Sequence, residues 1–208
     1  MTMSGTTAPP RDAKRKMPAE RHEELLARAV DISTAEGLSA VTLRKVAGEL
    51  GVTPGLVSHY FSSAEQLIIA TFRQAVVADL DEARARVAAA ATPTEQIAVL
   101  MDYVLDDCSL DASALWLDAW SLGRRNPALA AEANEFTGEW LAFIADIVRS
   151  GRATGEFRVG DPEVAARRLL TMIDGLGTQQ VVRAVPSDEL KHIGRAYVAF
   201  ELGLTAGS

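Results

Sequence analysis

Apolar residues recur every three or four positions along most of the chain, which is the spacing of one face of an α-helix. The first such stripe covers residues 20–36 and ends at Gly37, a residue suited to a helix C-terminal cap. No stretch alternates apolar and polar residues as a half-buried strand does. We therefore predict an all-α fold of nine helices, at about 20–36, 43–50, 54–61, 63–91, 94–105, 111–125, 127–150, 162–183 and 187–204.

The segment TLRKVAGELGVTPGLVSHYF, residues 42–61, predicts two short helices that meet at a tight turn. Gly51 lies in the turn, where it can adopt a positive φ without steric cost. Thr53 can cap the second helix with its hydroxyl, and Pro54 occupies the first helical position, where its missing N–H is harmless. The small Ala47 falls where the helices cross, and Val57 falls in their shared core. This pattern is typical of a helix-turn-helix.

A helix-turn-helix that binds DNA lays its second helix in the major groove. The residues of that helix expected to face the duplex are Pro54, Gly55, Ser58 and His59. Thr42 stands at the N-cap of the first short helix, where exposed N–H groups and the helix dipole favour a phosphate, and Arg44 and Lys45 follow in the same turn. The alternative is an ordinary pair of packed helices in which Thr42 is only a structural cap.

The last two predicted helices carry apolar residues on more than one face, so each needs cover on two sides. We predict that they form a homodimer in which paired subunits make a four-helix contact. The interface residues in this interpretation are Leu169, Ile173, Leu176, Leu190, Ile193 and Tyr197. The alternative is that all of these faces pack inside one subunit.

Aromatic residues gather in the middle of residues 65–208, where all three tryptophans lie. The carboxylates Asp118 and Glu139 lie nearby in sequence, and the candidates for lining a ligand pocket are Tyr103, Trp116, Trp120, Phe136, Trp140 and Phe143. A cation held over a tryptophan face gains about 0.5–2 kcal/mol, so this cluster suits a cationic ligand. The competing interpretation is that aromatic residues four positions apart only pack in the core.

The net charge of −7 over 208 residues argues against DNA binding until it is divided along the chain. Residues 1–62 hold eight Lys or Arg and seven Asp or Glu, a net charge of +1, so residues 63–208 carry −8. Because charges beyond about 10 Å are largely screened, the N-terminal part can still meet phosphates. A basic cluster in residues 1–18, which we expect to be disordered, either follows the DNA or only keeps the chain solvated: Arg11, Lys14, Arg15 and Lys16.

Other classes of protein fit the sequence poorly. The three histidines are too scattered for a metal site, Cys108 has no partner for an internal disulfide, and glycine-rich phosphate loops and nucleophile elbows are absent. We therefore expect no enzymatic activity, no cofactor and no metal. No apolar run approaches the length of a membrane span, and the N-terminus lacks an apolar signal region, so we expect a cytoplasmic protein without membrane contact.

Residues 20–72 resemble the TetR family of one-component transcriptional repressors. TLRKVAGELGV is similar to the family's second helix, TPGLVSHYF to its recognition helix and SSAEQLI to the start of its fourth helix. PGLVSHYF, the tryptophans Trp116 and Trp120, and the IDGL of residues 173–176 look most like the branch of choline- and betaine-aldehyde-responsive repressors. The resemblance implies a tail over residues 1–18, a DNA-binding domain over 19–64 and a helical ligand-binding and dimerisation domain over 65–208.

The resemblance also implies roles for single residues. Thr42 and Arg44 match second-helix contacts with DNA, and Tyr60 matches a ring whose hydroxyl commonly meets phosphate. The positions of the recognition helix are matched by Thr53, Pro54, Gly55, Ser58 and His59. There are two departures, because Ser58 stands where members often have Tyr, and Ala64 stands where many have Lys. Loss of that Lys removes one phosphate contact.

Members of this family bind a near-palindromic, double-stranded DNA operator. A small molecule in the C-terminal domain favours a conformation in which the recognition helices no longer fit successive major grooves, about 34 Å apart. We therefore expect a repressor released from its operator by a small-molecule inducer, with the long helix after residue 63 as the mechanical link. The alternative is a helical protein-interaction adaptor that has lost DNA binding, which the departure at Ala64 keeps open.

Overall fold

All nine predicted helices are present in the computed structural model, which describes residues 17–183 and 185–204. The helices are α1 (Pro18–Glu36), α2 (Leu43–Glu49), α3 (Pro54–Tyr60), α4 (Ala64–Ala88), α5 (Pro93–Val104), α6 (Leu110–Gly123), α7 (Pro127–Thr154), α8 (Pro162–Arg183) and α9 (Ser187–Leu202). Two short 3₁₀ helices, which the sequence analysis did not predict, lie at Leu38–Ala40 and Asp107–Ser109. The described ranges contain no strand, so the all-α prediction is confirmed. The basic cluster of residues 11–16 lies outside them.

Capping side chains set where most helices begin. Thr42 and Thr53 each accept a hydrogen bond from the backbone N–H three residues later, as predicted, and Ser63, Thr92 and Asn126 do the same for α4, α5 and α7. Each such cap satisfies a donor that the helix itself leaves unpaired, which is worth about 1 kcal/mol. The predicted boundaries of these helices were therefore right at their N-termini to within a residue or two.

Helix α7 runs beyond the predicted end near residue 150 because, of the two glycines expected to close it, Gly151 and Gly155, the first stays inside the helix. The glycine stays helical and makes room for Phe157, since a Cβ atom at Gly151 would lie 2.1 Å from Cδ2 of that ring. The helix ends instead at Gly155, whose φ of 82° is the left-handed conformation of a C-terminal cap. Helix α4, by contrast, is shorter than predicted, because it ends at Ala88 rather than near residue 91.

The buried side chains form three clusters. One fills the bundle of α1, α2, α3 and the start of α4, and a second fills the interior of α5 and α7 to α9 with the end of α4. Between them lies a third cluster, here called the junction cluster, which consists of Leu38, Phe72, Val76, Leu115, Ala119, Leu129, Ala133 and Phe136. Since Leu38 comes from the segment before α2, the junction cluster joins the two halves of the chain.

Helices α8 and α9 have one face inside the subunit and one face outside. Leu169, Leu176 and Leu190 are at most 5% exposed and belong to the subunit's own core, so their assignment to a dimer interface is corrected. Because both faces of these helices are apolar, helical periodicity could not distinguish the inner from the outer one. The large apolar residues that are exposed on α8 and α9 are Val164, Val182, Ile193 and Phe200.

Candidate DNA-binding surface and ligand cavity

The turn between α2 and α3 has the geometry that the sequence predicts. Gly51 adopts a φ of 62°, and Ala47 and Val57 are fully buried where the two helices pack. The N–H of Val52 donates to the carbonyl of Ala47 at 2.9 Å, which closes the turn tightly. As a result, α3 stands on the surface with its outer face free of the core.

Seven of the nine residues predicted to contact DNA are exposed: Thr42, Arg44, Thr53, Pro54, Gly55, Ser58 and His59. The other two, Lys45 and Tyr60, are half-buried. These residues lie on one continuous segment around the starts of α2 and α3, together with the exposed face of α3. Seven of the nine side chains are therefore accessible to a partner, and their contact with DNA stays a prediction.

Besides the capping hydroxyls of Thr42 and Thr53, four of these side chains already have partners within the protein. The ammonium of Lys45 pairs with the carboxylate of Glu36, and the hydroxyl of Ser58 donates to the carbonyl of Pro54 at 3.0 Å. The ring of Tyr60 lies 5.3 Å from that of His59, edge to face. Lys45 must therefore exchange Glu36 for a phosphate before it can contact DNA, whereas Arg44 is exposed at the N-terminal end of α2.

A partly enclosed cavity lies in the C-terminal half, between α4, α5, α6, α7 and α8. We call it the aromatic cavity, and it is lined by Asp79, Tyr103, Val104, Ser109, Ala112, Ser113, Trp116, Trp120, Thr137, Trp140, Leu170, Ile173, Asp174, Gly177 and Thr178. Four of the six predicted pocket residues belong to this set, including all three tryptophans. The rings of Trp116 and Trp120 are 5.7 Å apart, so two aromatic faces lie side by side on α6.

Among the residues that the structure describes, two carboxylates and no Lys, Arg or His line the aromatic cavity. Burial raises the pKa of Asp174 from 3.8 to about 6. Burial also raises the pKa of Asp79, although the hydroxyl of Tyr103 partly opposes this by donating to the carboxylate at 2.6 Å. A wall that holds negative charge against aromatic faces favours a cation.

Tyr103 is held from two sides. Its hydroxyl donates to Asp79 on α4, and the guanidinium carbon of Arg86 lies 4.8 Å from its ring centroid. Burial, followed by the hydrogen bond to Asp79, raises the pKa of Tyr103 well above its usual value. Tyr103 is therefore a neutral hydrogen-bond donor that fixes the position of the Asp79 carboxylate.

Trp140 contributes a polar group as well as a ring. The side chain is 6% exposed, and its buried indole N–H has no hydrogen-bond acceptor among the residues that the structure describes. A buried donor without a partner costs free energy. The aromatic cavity thus offers faces for a cation, and one of its wall residues carries an unsatisfied buried donor.

The other predicted pocket residues lie elsewhere. Phe136 is buried in the junction cluster, with its ring 6.3 Å from that of Phe72, and Phe143 lies behind Trp140 under the guanidinium of Arg84. Neither lines the aromatic cavity, which corrects the prediction for both. Sequence spacing did not reveal this, because the i, i+4, i+7 spacing of Phe136, Trp140 and Phe143 puts all three on one stripe of α7, and the neighbouring helices decide which of them meets the cavity.

The acidic residues proposed from sequence were also the wrong ones for the cavity. Asp118 accepts a hydrogen bond from the N–H of Leu38, and Glu139 pairs with Arg84. The acids that do line the cavity are Asp79 and Asp174, which are 95 positions apart in the sequence. One signal was present for Asp174, a carboxylate within the apolar run of α8, but nothing in the sequence singles out Asp79.

Comparisons with known proteins identify the family to which the chain belongs. Residues 25–71 match the family of bacterial regulatory proteins known as the tetR family, and residues 93–203 match the family described as BetI-type transcriptional repressor, C-terminal. The chain belongs to the TetR family. Its C-terminal domain is of the BetI type, so the branch suggested by PGLVSHYF and the two α6 tryptophans is confirmed.

Individual relatives support the same assignment. The HTH-type transcriptional regulator BetI of Rhizobium meliloti (strain 1021) is 32% identical over 80% of each chain, and that of Stenotrophomonas maltophilia (strain R551-3) is 27% identical over 89% of this chain and 95% of its own. A solved structure of a putative transcriptional regulator from Saccharomonospora viridis, in complex with choline, superimposes with a TM-score of 0.78. It is 25% identical, and the match covers 86% of this chain and 96% of that one.

As a member of the TetR family, the chain is a DNA-binding transcriptional regulator. Both matching families consist of transcriptional regulators, which favours this function over the adaptor alternative. Homodimerisation and ligand binding are typical of the family. Within the described ranges, no helix combines the length and the apolar character needed to cross a membrane.

Proposed function

We propose that this regulator is a homodimeric, cytoplasmic repressor that a small quaternary ammonium cation of the choline class releases from its operator. The observation that carries the proposal is the composition of the aromatic cavity. It combines three tryptophans with two carboxylates, and no basic side chain within residues 17–183 and 185–204 lines it. The complex of the Saccharomonospora viridis regulator with choline supports the same ligand class.

The chemistry of a quaternary ammonium ion fits this cavity in two ways. Its methyl groups carry the positive charge but cannot donate conventional hydrogen bonds, so tryptophan faces hold it better than polar groups do. The carboxylates of Asp79 and Asp174 supply the opposite charge. A zwitterion such as glycine betaine brings a carboxylate of its own, which these two acids repel. The cavity is therefore suited to a cation without an acid group.

The DNA-binding part of the proposal rests on the exposed face of the helix-turn-helix. Arg44 and the N-cap of α2 would bind phosphate, while the exposed residues of α3, among them Ser58 and His59, would lie against base edges in the major groove. A near-palindromic operator would place one such face in each half-site. The dimer would present the two faces through α8 and α9, whose exposed apolar residues would be covered by the second subunit.

A ligand titration tests the proposed specificity. Because all three tryptophans line the aromatic cavity, their fluorescence reports on binding there. Choline, its uncharged carbon isostere 3,3-dimethylbutan-1-ol, and glycine betaine are added in turn. We expect choline to bind at least tenfold more tightly than either of the others, since only choline combines a positive charge with no acid group.

Two aromatic substitutions make a matched pair for this titration. Trp120→Leu removes a lining face and should weaken choline binding by about tenfold, whereas Phe143→Leu, behind the cavity wall, should leave the affinity nearly unchanged. Equal affinities for choline and its uncharged isostere would refute the proposed ligand class.

A further inference from the structure

Helix α6 reaches from the aromatic cavity to the segment that leads into the helix-turn-helix. Trp116 and Trp120 line the cavity, and Asp118 lies between them in the same helix. The carboxylate of Asp118 accepts the backbone N–H of Leu38 at 2.7 Å. This hydrogen bond spans 80 positions of sequence and joins a cavity-lining helix to the DNA-binding half.

Gly37 keeps this contact close. Its φ of 88° is a conformation that residues with side chains rarely adopt, and a Cβ atom there would lie 2.9 Å from the Oδ2 atom of Asp118. The backbone of the turn and the carboxylate therefore approach each other at a distance that only glycine allows. Two independent features of the chain, the acid on α6 and the glycine after α1, make the same contact possible.

Apolar packing reinforces the hydrogen bond. Leu38 is fully buried in the junction cluster together with Phe72 and Ala119, and the ring of Trp116 meets that of Phe72 edge to face at 5.2 Å. Trp116 thus contacts both the aromatic cavity and the cluster that holds Leu38. Only three residues separate Leu38 from Thr42, the N-cap of α2.

We propose that Asp118 is the positioning residue through which occupancy of the aromatic cavity reaches the helix-turn-helix. A ligand that displaces Trp116 and Trp120 moves α6, and the charge-assisted hydrogen bond draws Leu38 and the start of α2 with it. This path from α6 through Asp118 to Leu38, here called the relay, operates in addition to the long helix α4, which we predicted from the sequence as the mechanical link. The inference rests on the proposed function, because it assumes that the ligand binds among these tryptophans.

The test separates coupling from the two binding events. An operator fragment is selected from random DNA with the wild-type protein, and its affinity is measured with and without saturating choline. For the wild type we expect choline to weaken operator binding by at least tenfold, within the range usual for allosteric coupling. In Asp118→Ala we expect less than a threefold effect, although choline binding and operator binding, each measured alone, stay within about threefold of wild type.

Two further variants show whether the effect is specific. Asp118→Asn keeps an oxygen that can accept the Leu38 N–H, so it should restore most of the coupling. Asp111→Ala removes an exposed acid from the first turn of the same helix and should leave the coupling unchanged. If Asp118 only stabilised the fold, Asp118→Ala would lower the stability of the protein. The effect of choline on operator affinity would then not follow this pattern among the three variants.

The outcomes distinguish the relay from the ligand assignment. If Asp118→Ala keeps the full effect of choline, the relay is refuted. If choline leaves operator binding by the wild type unchanged, the proposed ligand class is wrong. The relay is then tested by adding operator DNA and measuring the response in the aromatic cavity. Operator binding should then still change the tryptophan fluorescence of the wild type but not that of Asp118→Ala, because every tryptophan lies in the cavity. Equal fluorescence changes in the two proteins would overturn the relay.

Discussion

Asp174 is a cavity-lining acid whose surroundings disfavour its charged form. Its carboxylate lies in a largely apolar cavity, and burial raises its pKa to about 6. The group is therefore ionised at neutral pH in surroundings that disfavour the charge. A cation in the cavity would remove this cost, so the residue favours the ligand-bound state over the empty one.

The first prediction concerns the stability of the empty protein. Since the pKa of Asp174 is higher in the folded than in the unfolded state, its ionisation destabilises the fold as pH rises from about 4 through 6. Asp174→Asn should raise the free energy of unfolding at pH 7.5 by about 2–3 kcal/mol, and the gain should shrink towards zero near pH 4. Urea unfolding of the wild type and of Asp174→Asn at several pH values measures this difference in the free energy of unfolding. A loss of stability at pH 7.5 would contradict the argument.

The second prediction concerns the pH dependence of ligand binding. Protonation of Asp174 removes negative charge from the cavity, so the affinity for choline should fall as pH drops below about 6. At pH 5 we expect binding about tenfold weaker than at pH 7.5, with proton release on binding between these values. Calorimetry in buffers of different ionisation enthalpy measures both quantities. In Asp174→Asn the remaining dependence should be small, and an unchanged pH profile in that variant would assign the effect to another group.

At the scale of single elements, local chemistry accounts for what the sequence could predict. Thr42, Thr53 and Gly51 fix the ends and the turn of the helix-turn-helix through bonds that span only a few residues. The choice of faces on α8 and α9, by contrast, depends on which neighbour covers each side. The turn at Leu38 was missed for the same reason, because the acid that accepts its N–H lies 80 positions away.

The third prediction tests the crossing of α2 and α3. Ala47 is fully buried there, so Ala47→Leu forces additional carbon atoms into a filled space and should destabilise the protein by about 1–3 kcal/mol. Operator affinity should fall because α3 is displaced, while choline binding in the separate C-terminal core should be retained. Gly48→Ala, at an exposed position of α2 with open space for a Cβ atom, is the matched control and should not lose stability.

At the scale of the whole molecule, our proposal is that two subunits meet through the exposed apolar residues of α8 and α9. Phe200 is 83% exposed, and Val182 and Ile193 add to the apolar surface of the same two helices. A single subunit leaves these side chains in water, whereas a partner would cover them. Of the six interface residues chosen by periodicity, only Ile193 belongs to this exposed set, and three others, Leu169, Leu176 and Leu190, lie on the inner face.

The fourth prediction tests that surface. Phe200→Glu should yield monomers in light scattering and reduce operator binding by more than tenfold, because one recognition helix then binds without the other. Val77→Glu changes an exposed apolar residue of α4, outside α8 and α9, and should remain dimeric. A dimer that persists in Phe200→Glu would place the interface elsewhere.

The central claim is that a cation in the aromatic cavity controls DNA binding, and fluorescence anisotropy of a labelled operator tests it most directly. Choline should release the operator from the wild-type protein at pH 7.5, while 3,3-dimethylbutan-1-ol at the same concentration should not. Asp174→Asn should hold the operator in the presence of choline. Release by both compounds, or by neither, would contradict the account.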